Sequence, residues 1–261
     1  MEIRSFSFIG GGRVTQLLLH ALKNGNALPE TVIITDPDEN VRNRAQMIDP
    51  EKVQCSSNNV DALKADVLFL AVHPPVFKDL GAEISGKIGK GVLVISLIPV
   101  VTIEKLRTMT GTGKVIRMIP NAPSIIHLGF NPVTYSNEIT QTEKQALNNI
   151  FKQWGDAPEV EEKKLEAYAI VTAMGPTYFW PLWIRLQELG KEFGLSEGEL
   201  NKGMASMLRG SLDLIYNSGL PAREVMDLIP VYPLKEKEAE ILSFFDDSLK
   251  ALYQKLTGGA K

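Results

Sequence analysis

In the first half of the chain, short β-rich runs at 5–9, 32–35, 53–55, 67–72, 92–97 and 115–119 alternate with stretches of helical periodicity at 14–22, 40–47, 60–64, 76–88 and 103–109. Several runs are apolar at consecutive rather than alternate positions, as in strands covered by helices on both faces. Strand–helix alternation of this kind predicts an α/β fold with a doubly wound parallel sheet, right-handed crossovers and a ligand crevice at the carboxyl ends of the strands. Gly10, Asp36, His73, Leu97 and Pro120 all fall at such ends. A strand at 133–135 and a helix at 140–154 are expected to close this Rossmann-type dinucleotide-binding domain, assigned to residues 1–160. From residue 161 the pattern turns helical, at 163–173, 176–193, 196–217, 222–228 and 234–256, giving an all-helical domain over 161–261. Pro176 suits a first helical turn, and Ser196 with Glu199 makes a capping box. The stretch 178–183 is apolar all round its helix. Such a helix is buried in a core or against a partner subunit, so a homodimer through the C-terminal helices is expected, with larger homo-oligomers left open. Residues 257–261 read as a loose tail.

Composition narrows the class without changing the fold. The 261 residues are 44% hydrophobic and 23% charged, ordinary for a globular enzyme, and the formal net charge of −3 offers no general attraction for nucleic acid or an anionic membrane. Cys55 is the single cysteine, which excludes an intramolecular disulfide, and three histidines with one cysteine make no zinc-type cluster. The longest apolar run, 92–101, is broken by Ser96 and Pro99 and is too short for a bilayer, and a cytoplasmic location is expected.

The first strand runs straight into Gly10, Gly11 and Gly12 and then a helix beginning near Arg13 and Val14. A glycine turn feeding a helix N-terminus makes a pyrophosphate site, because the backbone approaches closely and free N–H groups point at the anion. Thr15 replaces the third glycine of G-x-G-x-x-G. Asp36 sits where a ribose-binding acid is expected and favours NADH over NADPH; its alternative role is turn chemistry with Pro37 and Asp38, and Arg42 and Arg44 weaken the preference. His73, before Pro74 and Pro75, reads either as a donor to phosphate or substrate or as an exposed loop histidine. Asn121, between Pro120 and Pro123, reads either as an amide for nicotinamide or substrate or as a loop cap; Arg117 reads as half of a structural ion pair. Thr177 and Tyr178 start a helix and offer hydroxyls to a substrate, while Arg185 and Glu188 read as solvated charge.

The order of these pieces resembles the pyrroline-5-carboxylate reductase family. FIGGG at 8–12 is similar to its F-I-G-x-G, NVDA at 59–62 to N-A-E-A, and LAVHP at 70–74 to L-A-V-K-P. IS at 95–96 matches the start of I-S-x-A-x-G, IPNAP at 119–123 matches M-P-N-T-P, and GPTY at 175–178 matches G-P-A-Y. The resemblance implies a Rossmann domain, a helical dimer domain, a role in proline biosynthesis, and hydride transfer from NAD(P)H to the C=N bond of a small cyclic imine. It further implies that Gly10, Gly12, Asn59 and Ala71, with Val72, His73 and Pro74 beside them, lie against the nucleotide. Asn121, Pro123 and Thr177 would lie near the reacting centre.

The departures bear on substrate. The family's S-P-G-G-T-T loop, whose hydroxyls and amides bind the substrate carboxylate, is replaced by IPVYP at 229–233, and its S-G-S-G-P by TAMGP at 172–176. His73 replaces a lysine, and the A-A-G after the fifth strand becomes Ile98, Pro99 and Val100. A site stripped of its anion donors loses affinity for the anion, which points to an altered substrate. Two other readings stand beside the reductase: a catalytically silent NAD(P)-binding sensor or scaffold, and a relative of the deazaflavin-dependent reductases.

Overall fold

The computed structural model describes residues 2–258. The chain divides into two compact units, the first comprising the chain up to Met174 together with the segment from Leu252, the second spanning Gly175–Ala251.

In the first unit, β1 (Ser5–Ile9), α1 (Arg13–Asn24), β2 (Thr31–Thr35), α2 (Glu39–Gln46), β3 (Val53–Ser56), β4 (Val67–Leu70), α3 (Pro74–Ile84), β5 (Leu93–Ser96), α4 (Ile103–Thr110) and β6 (Val115–Met118) follow one another. After them come β7 (Gly129–Phe130), β8 (Val133–Tyr135), α5 (Gln141–Phe151), β9 (Gly155–Asp156) and α6 (Leu165–Tyr168). Seven strands form one sheet in the order β3-β2-β1-β4-β5-β6-β8, parallel except for the antiparallel pairing of β8 with β6. This is the doubly wound sheet expected, with the strand order reversing between β1 and β4.

Consecutive residues of the strands feed opposite cores, which explains the unbroken apolar runs. Phe6, Phe8, Val67, Phe69, Leu93 and Ile95 pack into one cluster with α1 residues Leu18 and Leu22. Ile9, Leu68, Leu70 and Val94 face a second cluster with Phe77, Leu80 and Leu106. Phe8 stacks on Phe69 at 4.4 Å, Phe69 meets the edge of Trp154 at 6.0 Å, and Trp154 donates its indole N–H to the Leu18 carbonyl at 3.0 Å. A ring that large is buried without an orphaned donor.

Several boundaries depart from the sequence-based ones. The segment predicted as a helix at 60–64 is a 3-10 helix over Asn59–Ala62. The helix predicted at 163–173 breaks into a 3-10 turn (Glu162–Lys164), α6 and a π-helical turn (Ala169–Ala173). Residues 161–174 belong with the sheet rather than the helical half, because Leu165 and Ala169 pack on Ile119 and because Glu162 and Glu166 pair with Arg117.

The second unit is helical, with α7 (Gly175–Glu192), α8 (Glu197–Asn217), α9 (Ala222–Asp227) and most of α10 (Glu238–Leu256). The capping box is present, the Ser196 side chain accepting from the Glu199 N–H while Glu199 reaches back to the Ser196 backbone. Gly190 admits α8, since a Cβ there would stand 2.3 Å from Leu200 Cδ2. Phe179, Trp180, Leu182, Ile184 and Leu186 of α7 remain exposed in the single chain. Among the described residues no helix is long and apolar enough to cross a membrane. In the predicted loose tail, Thr257 donates its hydroxyl to the Tyr253 carbonyl, and residues 259–261 lie outside the described residues.

Candidate functional site

The three consecutive glycines stand in three different environments. Gly10 has φ +101°, and a Cβ on it would lie 2.5 Å from the Ala71 carbonyl oxygen and 3.3 Å from Val72 N. The turns after β1 and β4 therefore touch backbone to backbone, and only glycine fits. Gly11 has ordinary dihedrals, but its Cβ would meet Val41 Cγ1 at 2.9 Å and Ile34 Cγ2 at 3.1 Å. Gly12 is the opposite case: a Cβ there meets nothing within 4 Å.

Gly12 is also the N-cap of α1, with no side-chain cap and no acidic residue in the first turn. Arg13 and Val14, next in the helix, are exposed. An uncapped N-terminus opening onto empty space beside a glycine is a cradle for an anion. Thr15, in the third glycine's position, is fully buried and donates its hydroxyl to the Gly10 carbonyl at 2.6 Å, which braces the turn.

Asp36 closes the other side of the turn. Its Oδ2 accepts the Gly11 N–H at 2.9 Å and its Oδ1 accepts the Asp38 N–H at 2.9 Å. The turn role read from the sequence is filled: the carboxylate builds the turn after β2 and reaches the glycine turn. Arg42 Nη1 donates to the carbonyls of Asp36 and Pro37 at 2.7 and 2.9 Å. Asn59 begins the 3-10 helix with its Oδ1 accepting from Thr35 and its Nδ2 donating to Glu83. That Thr35–Asn59–Glu83 chain carries no pattern visible in the sequence.

His73 is the exposed N-cap of α3, makes no capping bond with its side chain, and precedes Pro74 at the first helical position. The fold gathers Gly10, Gly11, Gly12, Asp36, Asn59, Ala71 and Val72 around the carboxyl ends of β1, β2 and β4. Asn121 is in the loop after β6, and its amide is largely committed: Oδ1 accepts the Phe130 N–H at 3.0 Å and Nδ2 donates to the Thr172 carbonyl at 3.4 Å. The loop-cap role is the one its geometry fills, leaving one amide N–H. Arg117 forms the expected structural ion pairs, with Glu162 at 3.0 Å and Glu166 at 2.6 Å.

In the second unit, Thr177 is exposed in the first turn of α7. Tyr178 is half-buried against Phe179 and Phe245, ring centroids 6.4 and 6.0 Å away, and burial pushes its phenol above the ordinary value. Arg185 and Glu188 pair at the surface at 3.0 Å.

Comparison with known proteins agrees with this geometry. Residues 5–99 match the family described as NADP oxidoreductase, coenzyme F420-dependent. The pyrroline-5-carboxylate reductase of Escherichia coli strain K12 is 24% identical over 229 residues, covering 87% of this chain and 84% of that one. The chain is thus similar to pyrroline-5-carboxylate reductases over most of its length. Among solved structures, the Plasmodium falciparum pyrroline carboxylate reductase with NADP bound is similar at a TM-score of 0.83, with 22% identity and 100% of each chain covered. The Streptococcus pyogenes 1-pyrroline-5-carboxylate reductase gives 0.79, with 17% identity over 97% of this chain and 98% of that one. The similarity is to NAD(P)-dependent oxidoreductases, and the S-P-G-G-T-T motif that the resemblance leads one to expect does not occur in the sequence.

Proposed function

We propose that the protein is an NAD(P)H-dependent reductase that delivers hydride to the C=N bond of a cyclic imine of the 1-pyrroline-5-carboxylate type, as a cytoplasmic homodimer. The observation that carries this reading is the cradle at Gly12: open space at an uncapped helix N-terminus, with Gly10 locked against Ala71 and Asp36 fixed opposite. The donor set fits a dinucleotide. Backbone N–H groups of Gly12, Arg13 and Val14 hold the pyrophosphate, and Asp36 takes the adenosine ribose hydroxyls on its remaining lone pairs. Asn59, Ala71, Val72, His73 and Pro74 border the nucleotide. A bound reduced nicotinamide supplies the hydride.

What the chain itself contributes is placement. Asp36 is pinned by two backbone N–H groups, so its charge cannot swing away from a 2′-phosphate, which supports NADH over NADPH. Asn121, Thr177 and Tyr178 are assigned to the substrate by resemblance, Asn121 with the single N–H it has left.

The 229–233 segment supports a change from the family's substrate. In the 229–233 segment Pro230 and Pro233 have no N–H, and the Tyr232 hydroxyl donates to the Met226 carbonyl. Two of the five residues thus bring no backbone donor and the one side-chain hydroxyl is occupied, so an imine without a carboxylate is served at least as well. The test compares kcat/KM for 1-pyrroline-5-carboxylate and 1-pyrroline with NADH. A preference for 1-pyrroline, or parity, is expected, and a preference of about a hundredfold or more for the carboxylate removes the altered-substrate reading. Protein that binds NADH yet reduces neither imine supports the silent-binder alternative.

A further inference from the structure

Val100 has φ +60°, a left-handed conformation that a β-branched residue adopts only when its surroundings hold it there. It lies in the loop between β5 and α4, at the carboxyl edge of the sheet that also carries the glycine turn. Its N–H donates to Glu166 Oε1 at 3.2 Å. The same oxygen receives Arg117 Nη2 at 2.6 Å. Arg117 Nη1 meets Glu162 Oε1 at 3.0 Å, and that oxygen accepts the Ile103 N–H at 2.7 Å. Two carboxylates more than fifty residues downstream thus catch the loop at Val100 and again at the start of α4, and one arginine from β6 gathers both. Arg117 is 2% exposed and its Nε has no partner, so a buried donor is left unsatisfied while the guanidinium serves the two carboxylates.

We propose that Glu166 is a positioning residue: through Val100 it fixes the shape of the β5–α4 loop, and with it the wall that this loop gives the nucleotide crevice. The effect on nucleotide affinity rests on the proposed nucleotide site; the latch on the loop does not. Removing the carboxylate lets Val100 relax out of the left-handed region and carries the loop with it. Glycine occupies that region without help, so a glycine at this position removes the need for the latch.

The test uses the full chain in three forms besides wild type: Glu166→Ala, Glu166→Gln, and Glu166→Ala combined with Val100→Gly. Hydrogen exchange over residues 97–103, without nucleotide, reads the loop directly. NADH titration by fluorescence reads the crevice. Glu166→Ala is expected to speed exchange in that segment and to weaken NADH about tenfold, the equivalent of one charge-assisted hydrogen bond. Glu166→Gln keeps an acceptor for Val100 and for Arg117, is expected to disturb the fold less than the alanine variant, and is expected to lie between that variant and wild type. The double variant is expected to regain most of the wild-type affinity, which a merely structural ion pair would not allow. Unchanged exchange in both Glu166 variants, or a double variant as weak as Glu166→Ala, overturns the proposal. Folded wild-type protein that binds neither NADH nor NADPH instead overturns the nucleotide reading, and exchange still decides the latch.

Discussion

Replacing Gly12 by alanine separates the site from the fold. A Cβ at Gly12 meets nothing within 4 Å, and φ there is −68°, open to any residue. Two small effects on stability oppose each other. Alanine is a poorer N-cap than glycine, whereas losing glycine's freedom in the unfolded chain favours the folded state; the net is expected within about 0.5 kcal/mol of zero. For a bound pyrophosphate the same methyl group is an intruder at the point of closest backbone approach. Overpacking of that kind costs about 1–3 kcal/mol, or about 5- to 150-fold in affinity. Gly10→Ala is the contrasting control. Its Cβ would stand 2.5 Å from the Ala71 oxygen with φ at +101°, so strain and overlap together are expected to destabilise the protein by about 2–5 kcal/mol. The assay is NADH titration by fluorescence beside thermal and urea denaturation of each variant. Gly12→Ala protein with parental stability and parental NADH affinity would refute the cradle.

Asp36→Asn exchanges a carboxylate that accepts from both Gly11 and Asp38 for an amide that turns a donor toward one of them. NADPH is expected to gain on NADH by about tenfold or more as the repulsion of a 2′-phosphate disappears, and an unchanged ratio of kcat/KM values would take Asp36 out of the cofactor site. Arg117→Met leaves Glu166 buried without its charge partner and is expected to cost about 3–5 kcal/mol by urea denaturation; a loss under 1 kcal/mol would show the pair to be dispensable. Burial pushes the Glu143 carboxyl up, but hydrogen bonds from Lys114 and from the Thr140 N–H and hydroxyl outweigh it and hold the group below its ordinary value of 4.5. Its stabilisation is therefore full above that ordinary value and lost as pH falls through the lower folded one. Glu143→Gln should be less stable than the parent at pH 7, with the gap closing in acid; a gap independent of pH would exclude the linkage. Ile184→Glu places charge on the exposed apolar face of α7 and, for the proposed homodimer, is expected to halve the mass seen by light scattering, whereas an unchanged mass would contradict a dimer through this face.

The sheet was legible because its signal is local. Runs such as 67–70 are apolar on both faces, and the glycine turn names its own position. Less was legible where partners are distant in the chain. β7 and β9 are two residues each, defined by pairing with one another and not by any period. The division of the chain falls after residue 174 instead of at 160 because Arg117 and Ile119 draw the 161–174 segment to the sheet, which its helical pattern does not foretell. At the site, the glycines and Asp36 announced themselves by spacing, but the sequence does not show that Asp36 would bond to Gly11 or that the Asn121 amide would be committed to Phe130 and Thr172. Glu166 carries no signal in the sequence, because the Val100 N–H it accepts from is distant in the chain.

The most direct measurement is the initial rate of NADH oxidation by purified protein, with and without 1-pyrroline-5-carboxylate or 1-pyrroline. An imine-dependent rate that exceeds the rate with NADPH is the expected result. No imine-dependent oxidation of either nucleotide, in protein shown to be folded and to bind NADH, would contradict the reductase assignment.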